Sequence, residues 1–424
     1  MKKLHSIKGT HDILPNEIHK WKTLESIVNQ TCEHFGYQEI RNPIFEETRL
    51  FSRSVGEETD IVTKEMYSWE DVDGASLTLR PELTASVVRS YIQHNLGTLS
   101  PIQRLYYSGP LFRRERPQKG RQRQFHQFGV EAFGSNYPEQ DVEIIAIAWK
   151  ILSLCGLAND TTLNLNSIGS NECRNNYRTA LKNYLSPYIK DFSKTSQHRF
   201  DTNPLRILDT KSEKEQEILN DAPKISDYHN KTDSTHFESL KEILKDMDLP
   251  FCINHKLVRG LDYYTGTVFE FNSDNLGAQD ALLGGGRYNR LVETLGGKPT
   301  PGIGFAAGIE RFLIAMEQSN FDAKKSNPDV YFVCAENKAL SRSIVISSRL
   351  RSLNLKVVSD TLKRSMKSQL REANKLKVKF ALILGEDEIN NGTITLKDFT
   401  KGTQKTIPQS EVMNFFENWQ SNFL

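Results

Sequence analysis

The fold is decided by two runs and the loop between them: Arg104-Leu105-Tyr106-Tyr107-Ser108-Gly109-Pro110-Leu111-Phe112 and Gln124-Phe125-His126-Gln127-Phe128-Gly129-Val130-Glu131-Ala132-Phe133, joined through Arg113-Arg114-Glu115-Arg116-Pro117-Gln118-Lys119-Gly120-Arg121-Gln122-Arg123. Aromatic content with alternating polarity predicts two strands. The short connection makes them antiparallel, which a doubly wound nucleotide fold does not contain. Side chains alternate along a strand, so Phe125, Gln127, Gly129 and Glu131 share one face. An aromatic plane, an amide, a bare backbone position and a carboxylate make a floor for a small polar ligand. The same alternation also suits a strand with one face in water. From Phe112 to Phe125 six residues are Arg or Lys and one is acidic. Arginine forks match phosphate oxygens, so the loop suits a triphosphate or an RNA backbone; a solvated charged loop is equally consistent with this composition.

Three further clusters lie downstream. Leu257-Val258-Arg259-Gly260-Leu261-Asp262-Tyr263-Tyr264 sets one arginine among apolar residues and paired tyrosines, consistent with a half-buried cation or with an ordinary core strand. Gly284-Gly285-Gly286-Arg287-Tyr288 permits close approach of a ligand to the backbone, or a turn. Pro301-Gly302-Ile303-Gly304-Phe305-Ala306-Ala307-Gly308-Ile309-Glu310-Arg311 is a strand of small residues running into a helix. Arg311 in that helix's first turn opposes the macrodipole, which a bound anion would explain. No Gly-x-x-x-x-Gly-Lys-Ser/Thr loop occurs.

Upstream, Ile18, Trp21, Leu24, Ile27, Val28 and Phe35 recur at helical spacing before Gly36. An extended segment around Pro43 leads to a turn and a helix. A hairpin is expected over 66–69 and 77–80 about Asp73-Gly74, then a helix over 84–95. Residues 171–254 read as a mostly helical insertion, with Tyr177, Leu181, Tyr184 and Tyr188 on one face. A polar linker at 319–327 precedes an alternating α/β pattern. The expected division is therefore a core at 1–170, an insertion at 171–254, a second core part at 255–318, the linker, and an α/β domain at 328–424.

At 424 residues the chain exceeds one ordinary core. With 38% hydrophobic and 25% charged residues it reads as globular rather than disordered. No apolar run reaches membrane-spanning length and no signal peptide is evident, so the expected location is the cytoplasm. Five scattered cysteines without a Cys-x-x-Cys pair argue against a zinc site and against a disulfide framework. The net charge is +2, yet residues 328–424 hold 15 Lys and Arg against ten Asp and Glu. Within that part Lys363, Lys367, Arg371 and Lys375 fall at four-residue steps beside Leu362, Met366 and Leu370. The first set predicts an exposed cationic helix face that suits a polyanion or plain solvation, and the second a buried stripe.

In this order the clusters resemble the class II aminoacyl-tRNA synthetases. Phe112-Arg113-Arg114-Glu115 is similar to their motif 2, Gly304–Arg311 to motif 3, and the Pro43 segment to the dimer-forming motif 1. Leu257–Tyr264 and Gly284–Tyr288 resemble the signatures of histidyl-tRNA synthetases, and the likeness runs from Gly9-Thr10-His11-Asp12 into the C-terminal domain. The resemblance implies an α+β fold: an antiparallel sheet flanked by helices, a helical insertion and an α/β anticodon-binding domain. It implies ATP-dependent histidine activation and transfer to tRNA(His), Mg2+ accompanying ATP, no metal held by protein side chains, a homodimer and no membrane partner.

By position, the resemblance assigns Arg113 to the α-phosphate, Arg121 and Arg311 to the outer phosphates, and Glu115 and Phe125 to adenine. Arg259 would bridge the α-phosphate and the histidine carboxylate, so Arg259 and Arg113 are the expected catalytic pair. Glu82, Thr84 and Gln127 would bind the α-amino group, and Glu131 and Tyr264 the imidazole, with Tyr263 and Tyr288 in the same pocket. Arg116, Lys119, Arg123, Lys363, Lys367 and Arg371 are the candidate tRNA contacts. A pocket pairing both ring nitrogens discriminates by roughly 10⁴–10⁵, which makes an editing domain unnecessary. Leu83 after Glu82 and Asn289-Arg290 after Tyr288 depart from the usual pattern and leave local loop geometry open. The competing reading is a synthetase-like regulatory subunit of ATP phosphoribosyltransferase, which generally lacks the anticodon domain and an intact Arg259-type signature.

Overall fold

The computed structural model describes residues 3–56, 59–118, 120–273, 276–277, 280–334 and 337–421. Lys119 lies outside the described residues. The chain forms two compact units, Met1–Ala323 and Lys324–Leu424.

The first unit is organised by an eight-stranded sheet in the spatial order Gln38–Glu39, Gln103–Phe112, Gln124–Phe133, Gly302–Gly308, Ala281–Arg287, Thr265–Ser273, Thr161–Ser167, Cys252–Ile253. The six inner strands are antiparallel, whereas the two-residue edge strands join in parallel. Alternation explains why one side of the sheet is dry. Phe128, Val130 and Ala132 enter a core with Trp21, Leu24 and Val28 of helix Ile18–His34, with Ile144, Ile147 and Ile151 of helix Pro138–Leu154, and with Phe312 of helix Ile309–Gln318. The larger aliphatic and aromatic side chains among them each contribute about 1.5–3 kcal/mol by leaving water. The residues between them, Gln127, Gly129 and Glu131, face the other way.

The expected hairpin is present as Tyr67–Glu70 and Ser76–Leu79, and Phe45–Glu47 adds a third strand to it. The insertion region folds into helices Asn171–Leu185, Lys194–Thr202, Glu213–Asn220 and Lys231–Asp246. Tyr177 and Leu181 are buried in its core, but the first helix ends at Leu185 and Tyr188 beyond it is exposed. The triple glycine is neither turn nor loop: it lies inside the strand Ala281–Arg287.

The second unit has a five-stranded sheet ordered Val357–Ser359, Val330–Cys334, Phe380–Leu384, Thr393–Asp398, Thr403–Pro408, parallel over the first three strands. Thr403–Pro408 was not legible as a strand because it is polar and mostly exposed. Between the third and fourth of these strands lies a short helix, Glu386–Asn390. The cationic stripe needs correction. Helix Met366–Lys375 carries Lys367, Arg371 and Lys375 exposed, but Lys363 precedes it in a left-handed conformation at φ 54° and lies off the helix. The buried stripe is not Leu362 and Met366, which are exposed; Gln369 and Ala373 are buried instead. Gln369 tolerates burial because its amide donates to Cys334 O at 2.7 Å while its oxygen accepts from Cys334 N at 2.9 Å.

Candidate active site

The open face of the large sheet floors a cavity of about 730 Å³. Register explains why it is a groove. Tyr107, Gly129, Ala306, Gly284 and Glu270 form one row across five strands, and Leu105, Glu131, Gly304, Gly286 and Val268 form the next. The small residues that looked scattered in sequence are therefore stacked side by side. A side chain at Gly284 would strike the guanidinium of Arg259, one at Gly129 the ring of Tyr107, and one at Gly304 the carboxylate of Glu131. Each glycine clears the space that a functional side chain from another segment occupies.

At one end of the groove Glu131 is buried and accepts three hydroxyl hydrogen bonds. Thr84 Oγ1 donates at 2.7 Å, Tyr107 at 3.2 Å, and Tyr288 closely. Burial holds both tyrosines protonated, so they remain donors. Burial also pushes the Glu131 carboxyl up to about 8, against the lowering effect of the hydroxyls. Glu82 sits nearby, accepting from Ala85 N at 2.9 Å at the start of helix Thr84–Gln93; burial raises it to about 7. Tyr263 packs against Tyr264 and Tyr288, with ring centroids 4.7 and 5.7 Å apart.

Cations line the remainder. Arg259 forms an ion pair with Glu270, whose other oxygen accepts from Asn272 at 2.9 Å. Arg113 donates to Pro81 O at 2.8 Å and stands over the Phe125 ring at 5.1 Å, with Glu115 at 3.7 Å. Glu115 also lies 3.4 Å from Arg121. Arg311, in the first turn of its helix, donates to Ala281 O at 2.8 Å and to Gly120 O at 3.4 Å. Burial, and then the neighbouring Arg121, lower its pKa, so negative charge would be welcome there.

Glu82, Thr84, Arg113, Glu115, Arg121, Phe125, Gln127, Glu131, Arg259, Tyr263, Tyr264, Tyr288 and Arg311 thus all border one cavity. Of the candidate polyanion contacts, Arg116 is exposed and Arg123 is half-buried against Gly9. Sequence reasoning missed Tyr107 and Glu270. Glu270 was detectable as a lone acid between Phe269 and Phe271; Tyr107 emerges only once the hairpin register sets it opposite Gly129.

Comparison with known proteins agrees with this geometry. A match to the family described as "Histidyl-tRNA synthetase" spans residues 9–312, and one to "Anticodon binding domain" spans 329–419. The chain is 45% identical to a histidine–tRNA ligase of Gloeothece citriformis over 99% of this chain and 97% of that one. It is 46% identical to one of Desulforamulus reducens, over 97% and 98% of the two chains. The apo histidyl-tRNA synthetase of S. aureus superposes with a TM-score of 0.83 at 38% identity, covering 98% of this chain and all of that one.

Proposed function

Because this chain belongs to the histidyl-tRNA synthetase family and is an ATP-dependent histidine–tRNA ligase, we propose that the sheet-floored cavity is where histidine and ATP meet, with the residues acting as follows. Arg113 and Arg259 flank the α-phosphate, Arg121 and Arg311 take the outer phosphates, and Phe125 and Glu115 receive the adenine. Glu82, Thr84 and Gln127 hold the amino group. Glu131 and Tyr264 pair the imidazole, and Tyr107 and Tyr288 keep Glu131 aimed. The histidine carboxylate attacks the α-phosphorus, the bond to the β-phosphate breaks and pyrophosphate leaves. The terminal ribose hydroxyl of tRNA(His) then takes the histidyl group and AMP departs. Such chemistry needs alignment and charge neutralisation rather than a protein nucleophile.

Magnesium would ride on the outer phosphates and neutralise their charge. Such an ion would take phosphate oxygens and water as ligands, as magnesium accompanying a nucleotide does. The regulatory-subunit reading is set aside, since an anticodon-domain match accompanies an intact Arg259 signature. We place the protein in the cytoplasm as a homodimer through the Pro43 segment, where Ile44, Phe45 and Trp69 are exposed apolar groups. No described helix is long and apolar enough to cross a membrane.

One observation carries the residue assignment: Arg113, Arg259 and Arg311, from three distant segments, border the same cavity as Glu131. Histidine-dependent ATP–pyrophosphate exchange tests it. Exchange should require histidine and collapse on substitution of Arg259; exchange indifferent to both overturns the assignment.

A further inference from the structure

Arg80 does not line the cavity of the proposed histidine and ATP sites, yet it is 4% exposed and its guanidinium donates to three backbone carbonyls. Its Nε donates to Pro110 O at 2.9 Å, and its Nη1 to Asn42 O at 2.7 Å and Pro43 O at 3.1 Å. Glu46, the carboxylate acting on it most strongly, is itself bonded to Arg89. A buried guanidinium held by carbonyls alone is costly to desolvate, and an apolar residue would fill that space more cheaply. What it does is join, through one side chain, three segments whose backbones already meet at the ends of paired strands: the Asn42-Pro43 segment, the strand Gln103–Phe112, and its own stretch Arg80–Thr84. The backbone repeats the link, with Arg80 N donating to Ile44 O at 2.9 Å and Phe112 N to Arg80 O at 3.1 Å.

The stretch that follows is the wall of the site. Pro81 O fixes Arg113 through its Nε, Glu82 lines the cavity, and Thr84 bonds Glu131. Gly109 carries the same signal from the opposite side: a Cβ there would lie 2.6 Å from Arg80 Nη2. We propose that Arg80 is a positioning residue that ties the exposed Pro43 segment to Arg113 and the amino-group wall, so that displacement at the former misaligns phosphoryl transfer at the latter. The proposal rests on the assignment of Arg113 above.

Arg80→Lys keeps the charge but cannot span Pro110 and Asn42 together. A displacement near 1 Å in an aligned site costs up to about 10² in rate. In pyrophosphate exchange, counted per active site by the adenylate burst, Arg80→Lys should lower kcat about 10- to 100-fold while KM for ATP moves less than about threefold. Gly109→Ala, which leaves Arg80 present and crowds its Nη2, should show the same split. The double variant should lose no more than Arg80→Lys alone, because both changes act on one link. Normal kcat per active site in folded Arg80→Lys overturns the proposal, as do multiplicative losses in the double variant. Should Arg80→Lys fail to fold, Gly109→Ala decides alone, and unaltered kcat there overturns it too. Loss of exchange in Arg113→Ala, measured alongside, verifies the assignment beneath; if that variant is normal, the assignment fails rather than the Arg80 link.

Discussion

Glu131→Gln separates function from folding. The carboxylate is buried, near 1% exposed, and surrounded by Thr84, Tyr107 and Tyr288 hydroxyls. Glutamine has the same shape, and rotating hydroxyls can accept from its amide, so packing should survive. Binding should not. Glutamine cannot ionise, so it cannot form the charge-assisted bond that Glu131 makes when bound imidazole draws off its proton; losing that bond costs about 1.5–3 kcal/mol, or about 10- to 150-fold in kcat/KM for histidine. Stability should move the other way. The folded-state carboxyl titrates at about 8 against an ordinary value of 4.5. A raised carboxyl pKa means the folded protein keeps a proton that the unfolded chain has released. The resulting penalty is absent below pH 4.5, grows as pH rises, and is complete above 8. At pH 7 it amounts to something on the order of 3 kcal/mol. The ligand-free variant should therefore equal or exceed the wild type in thermal midpoint at pH 7, with the difference shrinking toward pH 4.5. Paired thermal melts across pH 4.5–8 and histidine-dependent exchange read both quantities. Unchanged histidine kcat/KM, or a variant several degrees less stable at pH 7 than the wild type, refutes the reasoning.

Arg259→Ala should lower adenylation by about 10²–10³, the effect of removing one preorganised charge, with tRNA binding retained in a filter assay; near-normal exchange contradicts its role. Tyr107→Phe removes one of three donors to Glu131 and should raise KM for histidine roughly fivefold, about 1 kcal/mol, leaving KM for ATP alone; equal changes in both would place Tyr107 elsewhere in the mechanism. Replacing Lys367, Arg371 and Lys375 together by Ala should weaken tRNA binding and flatten its salt dependence by up to about three units of slope, with exchange untouched; an unaltered salt slope shows that face to be merely solvated.

Much was legible because periodicity is a local property. The strands Gln103–Phe112 and Gln124–Phe133, the helix Ile18–His34 and the shared face of Phe125, Gln127 and Glu131 follow from spacing alone. The errors came where tertiary partners override local signals. Leu362 and Met366 carry apolar character yet stand exposed, while Gln369 is buried because a strand end supplies its amide with both partners. Lys363 kept the numerical spacing of a helix it does not belong to.

What sequence alone determined was which chemical groups the chain possesses and which of them share a strand or helix face, since side-chain direction repeats every two or 3.6 residues. What only the tertiary structure decided was adjacency across strands. Gly129, Ala306 and Gly284 became one groove, Arg259 found Glu270 above Gly284, and Tyr107 reached Glu131 over Gly129. Those pairings depend on register between segments as far apart in the chain as Gly129 and Ala306, and register is set by the burial of whole faces rather than by any residue's own preference.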